Sequence, residues 1–272
     1  MIFDLHTHTN YSDGLFSPKE VVDLAIKKGL DGIAITDHDT IDGIEPAIEY
    51  NNNLVNKIKI IPGIEFGCVY QDEEVHILGY FIDYESSKII NLSKELKENR
   101  INRSLKMIDK LNSMGLKISM EEIKTLTQDD YIGRPHIARI LIQKGYVDNM
   151  EKAFKLYLNR GQPGYVEKKS LSIDETIDFI HELNGLAILA HPGVLKNKDI
   201  IDYCIKMGID GLEAIHSKHN KKDKDLLLEI GRKNNIIITA GSDCHGQIIN
   251  GEYLLGKYYI DIDYIPLMKR RI

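Results

Sequence analysis

The sequence of 272 residues has only three cysteines, Cys68, Cys204 and Cys244, scattered and with no C-x-x-C pair. That set argues against a disulfide framework and points to a reducing compartment, the cytoplasm. No apolar run approaches the ~18 residues of a membrane helix. The start of the chain has no basic stretch leading into an apolar one, so neither an anchor nor a secretion signal is expected. Positive charge is also short, with 35 Lys and Arg against 41 Asp and Glu, a net charge of −6. Proteins that grip duplex DNA or long RNA electrostatically carry basic surfaces. Any affinity for phosphate here must therefore be local, and bound metal ions are one source. No Ser-His-Asp arrangement, Gly-rich phosphate loop, internal repeat or low-complexity segment is visible.

What is present is a series of short apolar runs ending in ligand-type side chains. The first, Ile2 to Thr9, contains His6 and His8. Residues i and i+2 of a strand point to the same side, roughly 6–7 Å apart, so two imidazoles can converge on one ion. Asp13 follows, and then Ser17-Pro18-Lys19-Glu20, an N-cap serine, a proline for the first helical turn and a capping-box glutamate. Residues 31–38 form a second strand ending at His38, residues 57–66 a third ending at Glu65, and residues 74–81 a fourth carrying His76. Later runs end at His191, lead into His216 and His219, and end at Asp243 and His245. Strands alternating with helices predict an α/β fold with a parallel sheet. Polar residues at so many strand ends predict a closed barrel with its site on that face.

The rhythm breaks between Tyr84 and Tyr165, where helical periodicity takes over. The stretch is too long for an ordinary connection. We read 84–165 as a helical insertion, or cap, and 1–83 with 166–272 as the barrel. Within the cap, Arg134-Pro135-His136 stands at a helix start with Arg139 one turn on, a pattern suited to phosphate oxygens. Arg100 and Arg103 read as a solvated helix face, and His181 as a helix-surface residue. Cys244 and Asp37, each beside a ligand-type residue, should point away from the ions, Cys244 into packing and Asp37 as a partner to the ligands.

The ordered motifs His6-Thr7-His8, Thr36-Asp37-His38, Pro62-Gly63-Ile64-Glu65, isolated His76, Ala190-His191-Pro192 and Ser242-Asp243-Cys244-His245 resemble the PHP (polymerase and histidinol phosphatase) domain family. The resemblance implies a distorted (β/α)7 TIM-like barrel with three divalent ions. By position, the first ion takes His6, His8, Glu65 and Asp243. The second shares Glu65 and adds His76 and His191, and the third takes Asp13, His38 and His245. Many relatives have histidine where this chain has Asp13, which adds negative charge to the third position. Imidazole and carboxylate ligands without cysteine suit Mn²⁺, Fe²⁺ or Zn²⁺; the resemblance favours Mn²⁺.

Three such ions bring six positive charges, and Asp13, Glu65 and Asp243 return three. The pocket stays positive and suits a phosphate dianion, attacked by hydroxide held on the ions. His216 and His219 are candidates to donate a proton to the leaving group. The Arg-Pro-His-Ile-Ala-Arg segment is similar to a subgroup acting on nucleoside 3′,5′-bisphosphates that includes a 5′→3′ exoribonuclease. The expected partner is thus a small phosphorylated nucleotide or a short RNA 5′ end, with Arg134, His136 and Arg139 binding it, and neither duplex DNA nor a membrane. Oligomeric state is left open. The alternatives are a histidinol-phosphate phosphatase and a non-catalytic metal-binding regulatory domain.

Overall fold

A computed structural model describes residues 1–127 and 131–272. The short segment 128–130 of the expected cap lies outside the described residues. The chain opens with β1 (Ile2–Thr7), α1 (Pro18–Lys27), β2 (Gly32–Ile35), α2 (Ile44–Asn52), β3 (Lys59–Tyr70) and β4 (Glu73–Tyr80). Helix α1 starts where its residues demand: the Ser17 side chain accepts from the Glu20 backbone, and Glu20 Oε2 accepts from Ser17 N at 2.8 Å. Its buried stripe of Val21, Val22 and Ala25 packs on the sheet, and Gly29 at φ +75° ends it.

After the cap come α7 (Ile173–Glu182), β5 (Leu186–Leu189), α8 (Asp199–Lys206), β6 (Gly211–His216), α9 (Lys221–Asn234) and β7 (Ile237–Gly241). The terminal segment adds the hairpin β8 (Ile248–Ile249) and β9 (Glu252–Tyr253), then β10 (Ile260–Asp261). The main sheet runs β10-β1-β2-β3-β4-β5-β6-β7. It closes on itself where Thr7 pairs with Cys244 and Asp243 N donates to His6 O at 2.9 Å.

Two strands depart from the parallel expectation. β4 is antiparallel to both β3 and β5, because β3 runs on past Glu65 to Tyr70 and folds back through Gln71-Asp72. His76 therefore lies near the start of its strand, and the reversed direction is what brings it level with the ends of the others. β10, antiparallel to β1 at its lower end, was also not foreseen.

Two bulges sit at the rim. Between Asp4 and Thr7, β1 advances one residue more than β2, and β6 does the same against β7 between Glu213 and Ile215. Such bulges re-aim side chains at barrel rims, here those of His6, Glu213 and His216. Alternation places Ile61 below Glu65, and Leu78 and Tyr80 below His76. These join Phe3, Leu5, Ile188, Ile262 and Met268 in an apolar cluster beneath the polar mouth. Each such fully buried large side chain stabilises the fold by ~1.5–3 kcal/mol.

Between β4 and β5 rise α3 (Ser87–Ser113), α4 (Met120–Lys124), α5 (Arg134–Gln143) and α6 (Met150–Ala153). They have an apolar cluster of their own, including Ile108, Leu111, Ile137, Leu141 and Leu158. Among the described residues, no helix is long and apolar enough to cross a membrane.

Candidate metal centre

All nine expected ligands converge on the barrel mouth, and Glu65 sits at their centre, fully buried. Its two oxygens divide the imidazoles. Oε1 faces His76 Nδ1 at 2.8 Å and His191 Nε2 at 3.1 Å. Oε2 faces His6 Nε2 and His8 Nε2, each at 3.3 Å, and His38 Nδ1 at 3.0 Å. Asp243 Oδ1 closes the first group, 3.2 Å from His8 Nε2 and 3.6 Å from His6 Nε2. Asp13 Oδ1 lies 3.1 Å from His245 Nε2 and 4.0 Å from both His38 Nε2 and His8 Nδ1. His6, His8, Glu65 and Asp243 thus form one set of mutually close donors, and Asp13, His38, His245 and His8 a second. A third joins His38, Glu65 and His76.

The donor set fits divalent cations. His6 Nε2, both His8 nitrogens, Asp13 Oδ1 and Glu65 Oε2 are buried without a hydrogen-bond partner, a costly arrangement unless another group satisfies them. Burial acts to raise the Glu65 carboxyl, but His38, His6 and His76 outweigh it and hold it well below the usual range. Burial also opposes charge on His8 and His76, yet the surrounding carboxylates push these two up to about 10 and about 9. The acidic groups thus create a strong demand for positive charge. Burial keeps His191 neutral, with a pKa pushed down to about 4, and neutral imidazole is the form that binds metal.

A supporting layer, only partly visible in the sequence, holds these ligands. Asp37 accepts from Thr9 N at 2.7 Å and Thr9 Oγ1 at 2.6 Å, and Ser12 Oγ also donates to it, so it fixes the loop leading to Asp13. Cys244 is buried, and burial raises its thiol pKa. Glu213, missed in the sequence, faces His6 Nδ1 at 3.2 Å and accepts from His191 N at 2.9 Å. Its only sequence signal was a lone carboxylate inside an apolar strand.

His216 and His219 lie behind the ligands. His216 Nδ1 accepts from Lys218 N at 3.1 Å, and its buried Nε2 stands 3.5 Å from Asp243 Oδ2. His219 spends Nδ1 on Ala214 O and Nε2 on Gly193 N, each at 3.0 Å. In this arrangement His216 stands behind Asp243 and His219 ties two loops. Lys218 Nζ lies 2.8 Å from Asp243 Oδ2.

The cap arginines also differ from expectation. Arg100 is no solvated residue: it pairs with Asp39, donating from Nε at 2.9 Å, and stacks over Tyr131. Lys168 Nζ donates to the same carboxylate at 2.8 Å, and Gly67 N donates to its other oxygen at 3.0 Å. Arg103 donates Nε to Val166 O at 2.8 Å and, among the described residues, has no carboxylate partner. Arg134 pairs with Glu74, whose other oxygen is 3.7 Å from His76 Nε2. His136 is wholly buried and its Nδ1 accepts from Gly133 N at 3.1 Å, which makes it a cap of α5 rather than an open contact. Arg139 Nη2 donates to Asp13 O at 2.7 Å.

Two cavities flank the ligands. One of about 800 Å³ lies beside β4 and includes Glu74, Arg103, Arg134, Arg160 and Lys168 in its wall. The other, about 620 Å³, is lined by Asp13, Asp243, His245 and Arg139 together with residues of the β8–β9 region.

Known proteins resemble this chain in sequence and fold. The chain is 31% identical over 250 residues to the 5′-3′ exoribonuclease Rnm of Escherichia coli, covering 90% of this chain and 85% of that protein. It is 29% identical over 249 residues to the 3′,5′-nucleoside bisphosphate phosphatase of Chromobacterium violaceum, covering 89% and 86%. A crystal structure from Bifidobacterium adolescentis, described as that of a candidate metal-dependent phosphoesterase, superposes with a TM-score of 0.87 at 29% identity, over 97% of this chain and 94% of that one. The PHP domain model matches residues 4–185. With that match and a distorted, TIM-like α/β barrel whose mouth gathers the histidines and carboxylates, the chain belongs to the PHP domain family.

Proposed function

We propose that this chain is a metal-dependent phosphoesterase that hydrolyses the 3′-phosphate ester of nucleoside 3′,5′-bisphosphates and removes 5′-phosphorylated nucleotides from short RNA in the 5′-to-3′ direction. The observation that carries the substrate reading is Arg103, a half-buried guanidinium without a carboxylate partner among the described residues, in the same cavity wall as Arg134 and beside the ligand strand β4. Two arginines at one end and a cation-demanding cluster at the other match a molecule with two phosphates. The exoribonuclease and bisphosphate-phosphatase relatives support the same choice.

Three ions are assigned: one to His6, His8, Glu65 and Asp243, one to Glu65, His76 and His191, and one to Asp13, His38 and His245. Mn²⁺ is favoured, with Fe²⁺ and Zn²⁺ compatible with the same donors. When bound, the ions supply Lewis-acid charge and acidify a water for in-line displacement. The chain's own residues set the stage. Glu213 holds the proton of His6 at Nδ1, so that Nε2 faces the centre with its lone pair. Lys218 and His216 orient Asp243, and Arg103 and Arg134 hold the 5′-phosphate. A cytoplasmic location agrees with three free, buried cysteines.

The test is to load the protein with Mn²⁺ and measure phosphate release from adenosine 3′,5′-bisphosphate and from histidinol phosphate, and mononucleotide release from 5′-phosphorylated RNA. Turnover of the bisphosphate and the RNA is expected. Arg103→Ala should raise KM for the bisphosphate at least tenfold while metal content stays unchanged. Turnover of histidinol phosphate alone would reverse the assignment.

A further inference from the structure

We propose that the cavity on the β7–β1 side of the centre seats the second nucleotide of a 5′-phosphorylated RNA, the one that follows the scissile bond. The inference rests on the function proposed above and adds to it a subsite that a nucleoside bisphosphate never fills.

With the sheet closed between Thr7 and Cys244, β4 lies across the barrel from β7 and β1. The cationic cavity opens beside β4, and the second opens beside Asp13, Asp243 and His245, so the two lie on opposite flanks of the ligands. A bisphosphate whose 5′-phosphate sits near Arg103 and Arg134 places its terminal 3′-phosphate on the ligands and goes no further. In RNA that same phosphorus carries another nucleoside through its 5′-oxygen, and the second flank lies where it can receive it.

The walls of that flank suit such an occupant. Arg139, in the wall beside Asp13, is anchored through Nη2 to Asp13 O and has Nη1 buried without a partner, an unsatisfied cationic donor suited to an anionic group. Farther out the surface turns apolar, with Met150, Ile249, Leu254 and the ring of Tyr258. Base stacking on such surfaces is tolerant of sequence. At about 620 Å³ the space falls within the ~300–1,000 Å³ of small-molecule sites.

The hairpin that builds this wall is itself unusual. It reverses at Asn250-Gly251, both at positive φ, and displays Ile248 and Ile249 at 61% and 45% exposure. Of the two, Ile249 lines the cavity, a few residues after Asp243 and His245, and offers a half-open apolar surface to a base.

The chemistry keeps the downstream strand in this cavity. Water's oxygen bonds to phosphorus and the bond to the 3′-oxygen of the first nucleotide breaks. One proton of the water ends on that 3′-oxygen and the other is released. The phosphoryl group stays on the second nucleotide as a new 5′-phosphate.

The experiment compares the Mn²⁺-loaded parent with Tyr258→Ala and Ile249→Ser, using the dinucleotide pApA and adenosine 3′,5′-bisphosphate. For each variant, kcat/KM for the dinucleotide should fall at least fivefold, with bisphosphate hydrolysis within twofold of the parent, which also controls for folding. A 2-aminopurine in the second position should change its emission on binding the parent and do so far less with Tyr258→Ala. Unaltered dinucleotide cleavage, or equal losses on both substrates, would overturn the inference. A parent that hydrolyses the bisphosphate but not the dinucleotide would refute the subsite and leave the bisphosphatase reading standing. Failure on both would remove that reading and the subsite with it.

Discussion

Glu213 shows how much of a candidate metal site lies outside its candidate ligands. It is fully buried, and the positive field of His6, His216 and His191 overcomes the effect of burial and lowers its pKa. Its contact with His6 Nδ1 decides which imidazole nitrogen is free to face the centre. Glu213→Gln keeps the shape and removes the charge. It should lower kcat by about 10- to 100-fold and weaken metal retention on dialysis, with Glu213→Asp recovering part of both. Metal analysis beside kinetics checks this. The nine residues that converge at the mouth were legible in the sequence as candidate ligands because each ends or flanks an apolar run in a recognisable order. Glu213, Asp39 and Lys168 were not, since a lone charge acquires meaning only when folding shows what it faces. The same holds for Arg100 and Arg103: helical spacing put them on a polar face, and nothing in the spacing showed that this face would be covered.

At the scale of elements, α5 depends on His136. Burial pushes this imidazole down to about 4, below the ordinary value of about 6.5. Its neutral Nδ1 accepts from Gly133 N and closes the first turn. Between these two pKa values the unfolded chain holds the proton and the folded chain does not. Stability is therefore unaffected above about pH 6.5 and falls as pH drops toward 4, by up to about 3 kcal/mol. Glutamine at this position can serve the same capping role. His136→Gln should thus keep stability near neutrality and flatten this part of the slope, as read from urea midpoints between pH 4 and 7. Strand direction was the element-level feature least legible in the sequence. Apolar alternation identifies β4 but is blind to its polarity, and the hairpin loop Gln71-Asp72 lacks the Asn-Gly or Asp-Gly chemistry that announces a tight turn. Gln71 nonetheless takes φ +53° there.

On the scale of the whole molecule, a buried carboxylate ties cap to barrel. Asp39, at φ +55° directly after the candidate ligand His38, receives Arg100 from α3 and Lys168 from the barrel segment that follows the cap. Burial acts to raise its carboxyl pKa, but the two cations win and hold it well below the usual range. That stabilisation is present in full above the ordinary carboxyl value of about 3.9 and is lost as pH falls through the lowered one. Asp39→Asn strands two cations in a dry site and should cost about 3–5 kcal/mol in urea unfolding near neutral pH, a gap that narrows only in strong acid.

The same junction bears on how such enzymes can be recombined. A cap transplanted from a relative into this barrel brings its own α3, and with it whatever faces Asp39 beside Lys168. Unless the donor supplies a cation at the position of Arg100, Asp39 is left with Lys168 alone, one residue from the candidate ligand His38. The cap is therefore not an interchangeable lid: specificity grafts in this scaffold have to exchange Asp39, Arg100 and Lys168 as a single unit.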